Sequence, residues 1–122
     1  MNNRMVFTGC LLAALAVLLG AFGAHGLRAI LSPAALEWWH TAVEYQMWHA
    51  LGLIGLGVHK RKHLGTAAVL LASGTLVFSG SLYLLAFTQW HWLGMITPIG
   101  GLLMIGGWIV AAASFMRRTP IE

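Results

Sequence analysis

The sequence predicts an all-α membrane protein in which four transmembrane helices form one bundle, with the N and C termini both in the cytoplasm. Hydrophobic residues make up 59% of the 122 residues and charged residues only 8%, against roughly 25% charged in a soluble domain. So few charges do not cover a water-exposed surface. Lipid is therefore expected to surround most of the chain, which has the length of a single domain, residues 1–122.

Four helices are expected, at about residues 5–27, 33–59, 65–87 and 93–116. Crossing a hydrocarbon core of ~30 Å takes about 20 helical residues. Residues 5–27 and 64–116 contain no Asp, Glu, Lys or Arg, and the second stretch is long enough for two crossings. Polar and aromatic residues at 88–94 divide it. The first run is longer than the roughly 7–15 apolar residues of a signal peptide, so a retained span is expected.

The second helix is the least apolar of the four. Ser32 and Pro33 have the residue types of an N-cap and a first helical position. The uncharged part of this helix, residues 45–59, is shorter than the ~20 residues that a crossing needs. A full span therefore starts near Trp39 and draws Glu44 inside the apolar zone, with His40 at its edge.

Basic residues at the ends of the apolar runs predict the orientation. With four spans they gather on one side, which the positive-inside rule makes cytoplasmic; they are Arg4, Lys60, Arg61, Lys62, Arg117 and Arg118. Four tryptophans would mark the opposite boundary as an aromatic belt: Trp38, Trp39, Trp90 and Trp92. The basic residues form no long continuous face that could follow a phosphate backbone, so no nucleic-acid partner is expected.

Polar and small residues share one arc of the second helix at 100° per residue: Glu37, Thr41, Glu44, Tyr45, Trp48, His49, Gly52, Gly55 and His59. The opposite arc is aliphatic, with Gln46 as an exception. Because an unpaired carboxylate is costly in lipid, we expect the polar arc to face the bundle interior and Glu44 to find a partner there. The candidate cluster is His25, Arg28, His40, Glu44, Tyr45 and His49, either a structural clamp between helices 1 and 2 or a proton- or ligand-binding site.

Six histidines raise the question of a cofactor. His25 and His49 could be axial haem ligands, and His40 with Glu44 is an i, i+4 pair that could hold a metal. The chain lacks the C-x-x-C-H and H-E-x-x-H motifs, and its one cysteine, Cys10, excludes an internal disulfide. No cofactor or metal is therefore expected. Nothing in the sequence resembles a catalytic triad or a phosphate loop, so an enzyme is not expected either.

Glycines recur along three of the expected helices and are interpreted as close-packing positions, because small residues let membrane helices approach one another. They are Gly20, Gly23, Gly26, Gly52, Gly55, Gly100 and Gly101. Unwound, substrate-coordinating helices are the alternative.

Four segments together resemble the YgdD/YwdK-like family of small inner-membrane proteins, which carries the label domain of unknown function 423. They are residues 20–27, 41–52, 78–83 and 96–101, with Gly107 and Trp108. The resemblance implies a four-helix protein of the bacterial inner membrane whose biochemical role is unassigned. We expect a non-enzymatic accessory or scaffold component that binds itself or another membrane protein. The alternatives are a small oligomeric proton-coupled transporter and a haem- or quinone-linked subunit.

Overall fold

A computed structural model describes residues 1–117, and within them the regular structure is helical. Four α-helices follow one another: α1 (Asn3–His25), α2 (Pro33–Gly57), α3 (Leu64–Thr88) and α4 (Thr97–Met116). A short 3-10 helix, His91–Met95, precedes α4. Arg118, one of the basic residues that predict the orientation, lies outside the described residues.

The helix ends have local causes. The Asn2 side chain accepts a hydrogen bond from the Met5 amide at 3.1 Å, and the Ser32 hydroxyl accepts one from the Ala35 amide at 3.2 Å, ahead of Pro33. Both caps satisfy amides that have no partner inside the helix. The expected start of the fourth helix at residue 93 is four residues early, because the chain first forms the 3-10 turn and Pro98 then takes a first-turn position of α4.

Consecutive helices pack against one another along the chain, α1 on α2, α2 on α3 and α3 on α4. Helices α1 and α2 are antiparallel, since the amide of Asn2 donates to the carbonyl of Gly57 at 2.7 Å. One apolar cluster, which includes Met5, Leu53, Leu71 and Ala111, joins all four helices near the end that holds the N terminus. Two further clusters surround Trp39 and Leu82 near the other end.

The three described basic segments gather at one end of the molecule. The Arg61 guanidinium donates to the carbonyl of Ser114 at 3.1 Å and to that of Arg117, so the α2–α3 turn is tied to the end of α4. The hydrogen bond from Asn2 to Gly57 brings the N terminus, with Arg4, to the same end. This clustering places all of these positive charges at the same end of the helices.

By length and apolar composition, three segments can cross a membrane: Asn3–His25, Leu64–Thr88 and His91–Met116. Their outer surfaces carry large exposed apolar side chains, such as Leu18, Leu76 and Leu102 at 66%, 65% and 69% exposure. A soluble chain would bury much of this surface, whereas lipid solvates it at little cost. Helix α2 is as long as α3 but does not belong to this set because of its polar residues.

Candidate functional site

Gln46, near the middle of α2, is a buried polar side chain that joins α2 to both of its neighbours in the chain order. It is 4% exposed. Its amide nitrogen donates to the carbonyl of Leu12 in α1 at 2.9 Å, and its amide oxygen accepts a hydrogen bond from the Tyr83 hydroxyl in α3 at 2.7 Å. One side chain therefore links three helices near the middle of α2.

Two further hydrogen bonds continue this connection between α1, α2 and α3. The Trp39 indole donates to the carbonyl of Leu19 at 2.8 Å, and the Ser79 hydroxyl donates to the carbonyl of Ala42 at 2.7 Å. Within residues 1–117, every buried side-chain nitrogen and oxygen has a hydrogen-bond partner. We call Trp39, Gln46, Ser79 and Tyr83 the polar seam; it fixes the depth and rotation of α2 against its neighbours.

His49 joins α2 to α4. Its Nδ1 lies 2.7 Å from the carbonyl oxygen of Tyr45, and its Nε2 lies 3.0 Å from the indole nitrogen of Trp108. A carbonyl only accepts and an indole N–H only donates. These partners therefore assign the neutral tautomer with hydrogen on Nδ1, and both ring nitrogens are occupied inside the chain. The ring also lies beside Tyr45, 6.2 Å between centroids.

The outward face of α2 carries an exposed stripe that is polar at one end. Its members recur at spacings of three or four residues, as on one side of a helix; they are Glu37, His40, Glu44, Trp48, Leu51 and Gly55, all exposed. We call this set the α2 stripe. Glu44 is close to the midpoint of the helix, which runs from Pro33 to Gly57, and it is the acidic group placed deepest among the apolar surfaces.

The expectation that Glu44 faces the interior is therefore wrong. The polar arc straddles the boundary between inside and outside: His49 is buried, while Glu37, Glu44 and Trp48 are exposed. The inward face belongs to residues that the sequence pattern assigned to the opposite arc, among them Ala42, Gln46, Ala50 and Leu53. The reason is packing, because small Ala42 and Ala50 allow closer helix contact than Glu44 and Trp48 would.

His25 and Arg28 do not reach Glu44. In the antiparallel pair of α1 and α2, Leu19 contacts Trp39 and Leu12 contacts Gln46, so Glu44 lies at the level of residues 14–15. His25 is about 10 residues further along α1, or ~15 Å at the helical rise. Both His25 and Arg28 are exposed. Of the candidate cluster, His40 and Glu44 lie one turn apart on the exposed side of α2, and Tyr45 and His49 are in contact towards the inside.

The antiparallel packing of α1 and α2 also decides whether His25 and His49 could bind one haem. Gly9 abuts Ala50, so His49 lies at the level of residues 9–10 of α1, and His25 is about 20 Å away along the helix axis. These two side chains do not converge as axial ligands. Among residues 1–117, no three His, Cys, Asp or Glu side chains come together as a group that could hold a metal ion.

Most of the expected packing glycines lie at helix contacts. A Cβ on Gly23 would lie 2.5 Å from Trp39, one on Gly52 2.6 Å from Trp108 and one on Gly20 3.3 Å from Val43. A Cβ on Gly100 would meet the backbone of α3, and one on Gly26 would meet Phe22 of its own helix. Gly55 faces open space, and Gly101 has only Phe78 at 3.9 Å, so these two positions are not close contacts within the chain.

Sequence reasoning missed Gly9 and Gly74. A Cβ on Gly9 would lie 2.6 Å from the Ala50 carbonyl oxygen, and one on Gly74 would lie 2.8 Å from the Gly100 carbonyl oxygen. A signal for the first was present: Gly9, Ala16 and Gly23 recur every seven residues and are all buried. Such a heptad of small residues is typical of a helix face that packs closely on a neighbour.

Comparison with known proteins gives consistent matches over most of the chain. The family described as protein of unknown function (DUF423) matches residues 19–101. A UPF0382 membrane protein of Staphylococcus haemolyticus is 48% identical over 92% of this chain and 94% of its own length. YwdK of Bacillus subtilis is 45% identical over 92% and 95%, and the inner membrane protein YgdD of Escherichia coli is 37% identical over 83% and 80%.

No solved structure matches the chain. The family match covers the seam and stripe residues of α2, all of α3 and the first residues of α4, and the curated relatives are similar across nearly the whole length. The chain is accordingly a membrane protein that belongs to the DUF423 family, which includes the UPF0382 membrane proteins YwdK and YgdD.

Proposed function

We propose that this protein is a four-span component of the bacterial inner membrane that acts as a non-enzymatic accessory or scaffold subunit and docks through the α2 stripe. The partner is a second copy of the chain or another membrane protein. The observation that carries the proposal is Glu44, an acidic side chain exposed at the middle of a helix whose neighbours are membrane spans.

The contacts of α2 support a fourth crossing. The helix is 25 residues long, or ~37 Å at the helical rise, which exceeds the ~30 Å core of a bilayer. It is antiparallel to α1 and packs against both α1 and α3, two helices that are themselves apolar enough to span. A helix held between two spans shares their environment.

The gathered basic residues support an orientation with both termini in the cytoplasm. Among residues 1–117, Arg4, Lys60, Lys62 and Arg117 lie at one end and only Arg28 lies at the other. A bias of basic residues in short loops and tails sets the orientation of small membrane proteins.

A reporter series tests this topology. Green fluorescent protein fused at the C terminus is expected to fluoresce, and alkaline phosphatase at the same position to be inactive, because the phosphatase needs the oxidising periplasm. A phosphatase inserted after Ile30 is expected to be active. Inactive phosphatase at residue 30 together with an active C-terminal fusion would contradict the orientation, and equal activity at residues 30 and 60 would contradict a fourth span.

The cost of Glu44 in lipid supports docking. An acidic side chain at the centre of a membrane helix costs about 2.5–3.5 kcal/mol on insertion scales. Such residues usually face a protein partner or a water-filled space, and the interior hydrogen-bond positions here are already taken by Gln46 and His49. The spacing of three or four residues along the α2 stripe matches the contact face by which one helix packs on another. A partner helix on the stripe would remove Glu44 from lipid.

The test compares Glu44→Gln with Glu37→Gln. Both changes remove one negative charge from the stripe, but Glu37 lies in the first turns of α2, where water is close. Tagged proteins are purified in mild detergent, sized, and analysed by mass spectrometry for reproducible partners. We expect the wild type and Glu37→Gln to recover a complex of copies or of a second membrane protein, and Glu44→Gln to recover about tenfold less, or ~1.4 kcal/mol.

Monomeric wild-type protein without a reproducible partner would contradict the proposal, and so would a complex that Glu44→Gln leaves unchanged.

A proton-coupled carrier is the second candidate, since the same exposed carboxylate beside His40 could exchange a proton in an oligomer. Proton-dependent flux through reconstituted vesicles, present in the wild type and absent in Glu44→Gln, would favour that function.

A further inference from the structure

Helices α1 and α3 both pack on α2 and leave a groove between them. At the basic end the groove opens into a cavity of about 490 Å³, whose lining includes Asn2, Arg4, His59, Lys60, Arg61 and Gly65. We call this cavity the basic mouth. It lies at the end of the spanning helices, where the headgroups of a bilayer would surround it.

The basic mouth is strongly positive. Arg4 and Lys60 are exposed. The Arg61 guanidinium donates to the neutral backbone carbonyls of Ser114 and Arg117, and within residues 1–117 it is paired with no carboxylate. The two acidic residues among residues 1–117, Glu37 and Glu44, are on the outer half of α2 and do not line the cavity. An anion in the mouth would therefore meet Arg4, Lys60 and Arg61 in the lining and, among residues 1–117, no carboxylate.

A second, apolar cavity of about 260 Å³ continues from the mouth along the groove. The two cavities share Asn2, Arg4, Met5 and Gly65, and the second is bounded by Leu53 and Ala72 among others. Small side chains of α3 keep it open, and a Cβ on Gly65 would meet nothing within 4 Å. From Gly65 to Ala72 the groove runs ~10 Å at the helical rise, within the ~15 Å thickness of one leaflet.

We propose that this groove is a binding site for one anionic phospholipid, with its phosphate in the basic mouth and the first part of one acyl chain along the apolar cavity. A phosphodiester is a strong acceptor for Arg and Lys, and basic pockets between spanning helices are a common way to hold anionic headgroups. The continuity of a cationic cavity with an apolar one matches a lipid, whereas a free anion would need the mouth alone.

Native mass spectrometry of the delipidated protein tests the proposal with three probes. These are phosphatidylglycerol, phosphatidylcholine with the same acyl chains, and inorganic phosphate. We expect one phosphatidylglycerol to be retained per chain, at least fivefold more than phosphatidylcholine, and phosphate neither to bind nor to compete. Equal retention of the two lipids would overturn the headgroup site, and competition by millimolar phosphate would identify a free-anion site and overturn the lipid assignment.

Two matched pairs of variants locate the site. Lys60→Gln removes a charge from the mouth, whereas Lys62→Gln removes the same charge from the same turn but outside the lining. Gly65→Leu fills the groove where the two cavities meet, whereas Gly94→Leu adds the same side chain to open space in the 3-10 helix, away from the groove.

We expect Lys60→Gln to lower phosphatidylglycerol retention about fivefold, because one basic residue near a membrane surface contributes about that factor. Gly65→Leu is expected to lower retention about as much, because its side chain occupies the place where the two cavities meet. Both control variants are expected to retain the lipid as the wild type does. Equal loss in Lys60→Gln and Lys62→Gln would show diffuse surface charge and overturn the site. If Gly65→Leu does not give monodisperse protein, Arg4→Gln replaces it, and unchanged retention in Arg4→Gln and Lys60→Gln together would also overturn the site.

Discussion

Replacing Gly100 by alanine is expected to destabilise the helix bundle by about 1–3 kcal/mol, the usual cost of forcing an extra group into a packed interior. A Cβ at this position would meet the backbone nitrogen of Phe78, and it would lie 2.8 Å from the carbonyl oxygen of Gly74. These are backbone atoms, so no side chain can turn away to make room. The contact between α3 and α4 would have to open along its length.

Gly101 provides the matched control in the next position of the same helix. The nearest atom to a Cβ there is Cδ2 of Phe78 at 3.9 Å, an ordinary contact distance. Gly101→Ala is therefore expected to be neutral or stabilising by up to ~1 kcal/mol, the difference in helix propensity. Unfolding by sodium dodecyl sulfate in mixed micelles measures both free energies of unfolding. Equal stability of the two variants would contradict the close backbone contact at Gly100.

The presence of the four helices and the start of α2 at Pro33 were predictable because each depends on local sequence. Long runs without charge, the Ser32–Pro33 pair and the interruption at residues 88–94 act over a few residues, and the structure has a helix at each expected place. The gathering of Arg4, Lys60 and Arg117 at one end follows from an even number of antiparallel helices. Local signals of this kind need no knowledge of how the helices are rotated.

The rotation of α2 was not predictable in the same way. Its polar arc and its inward face overlap only in part, because Gln46, a single polar residue among aliphatic ones, makes two hydrogen bonds to α1 and α3. A helical wheel treats Glu44 and Gln46 as polar alike. It does not show that a neutral amide can be fully satisfied inside by Leu12 and Tyr83, whereas a carboxylate would need a positive partner.

The same limit applies to the glycines. Gly100 and Gly101 are neighbours in the sequence, and Gly52 and Gly55 are three residues apart in one helix. The sequence pattern does not distinguish the two members of either pair. Only the rotation of each helix decides that Gly100 and Gly52 meet another helix while Gly101 and Gly55 have free space. Composition therefore indicated that close contacts exist, and the three-dimensional arrangement was needed to say where.

Breaking the polar seam at Gln46 is the second large effect that we expect. Gln46→Leu leaves the Tyr83 hydroxyl without its acceptor at 2.7 Å, and Tyr83→Phe leaves the Gln46 amide oxygen without its donor. A buried polar group left unpaired costs about 1–3 kcal/mol, and each single variant is expected to lose stability in that range. Gln46→Leu is expected to be the more damaging, because it also removes the hydrogen bond to Leu12 in α1.

The double variant Gln46→Leu with Tyr83→Phe separates this explanation from a simple loss of packing. With both polar groups removed, no unpaired group remains at that contact, and replacing both partners by apolar groups can be nearly neutral. We expect the double variant to be no less stable than Gln46→Leu alone, so that the two effects are non-additive by about 1 kcal/mol or more in the detergent unfolding assay. Strict additivity would mean that the two side chains do not interact. In that case α2 would not be held in its rotation by the seam, and the outward position of Glu44 would need another cause.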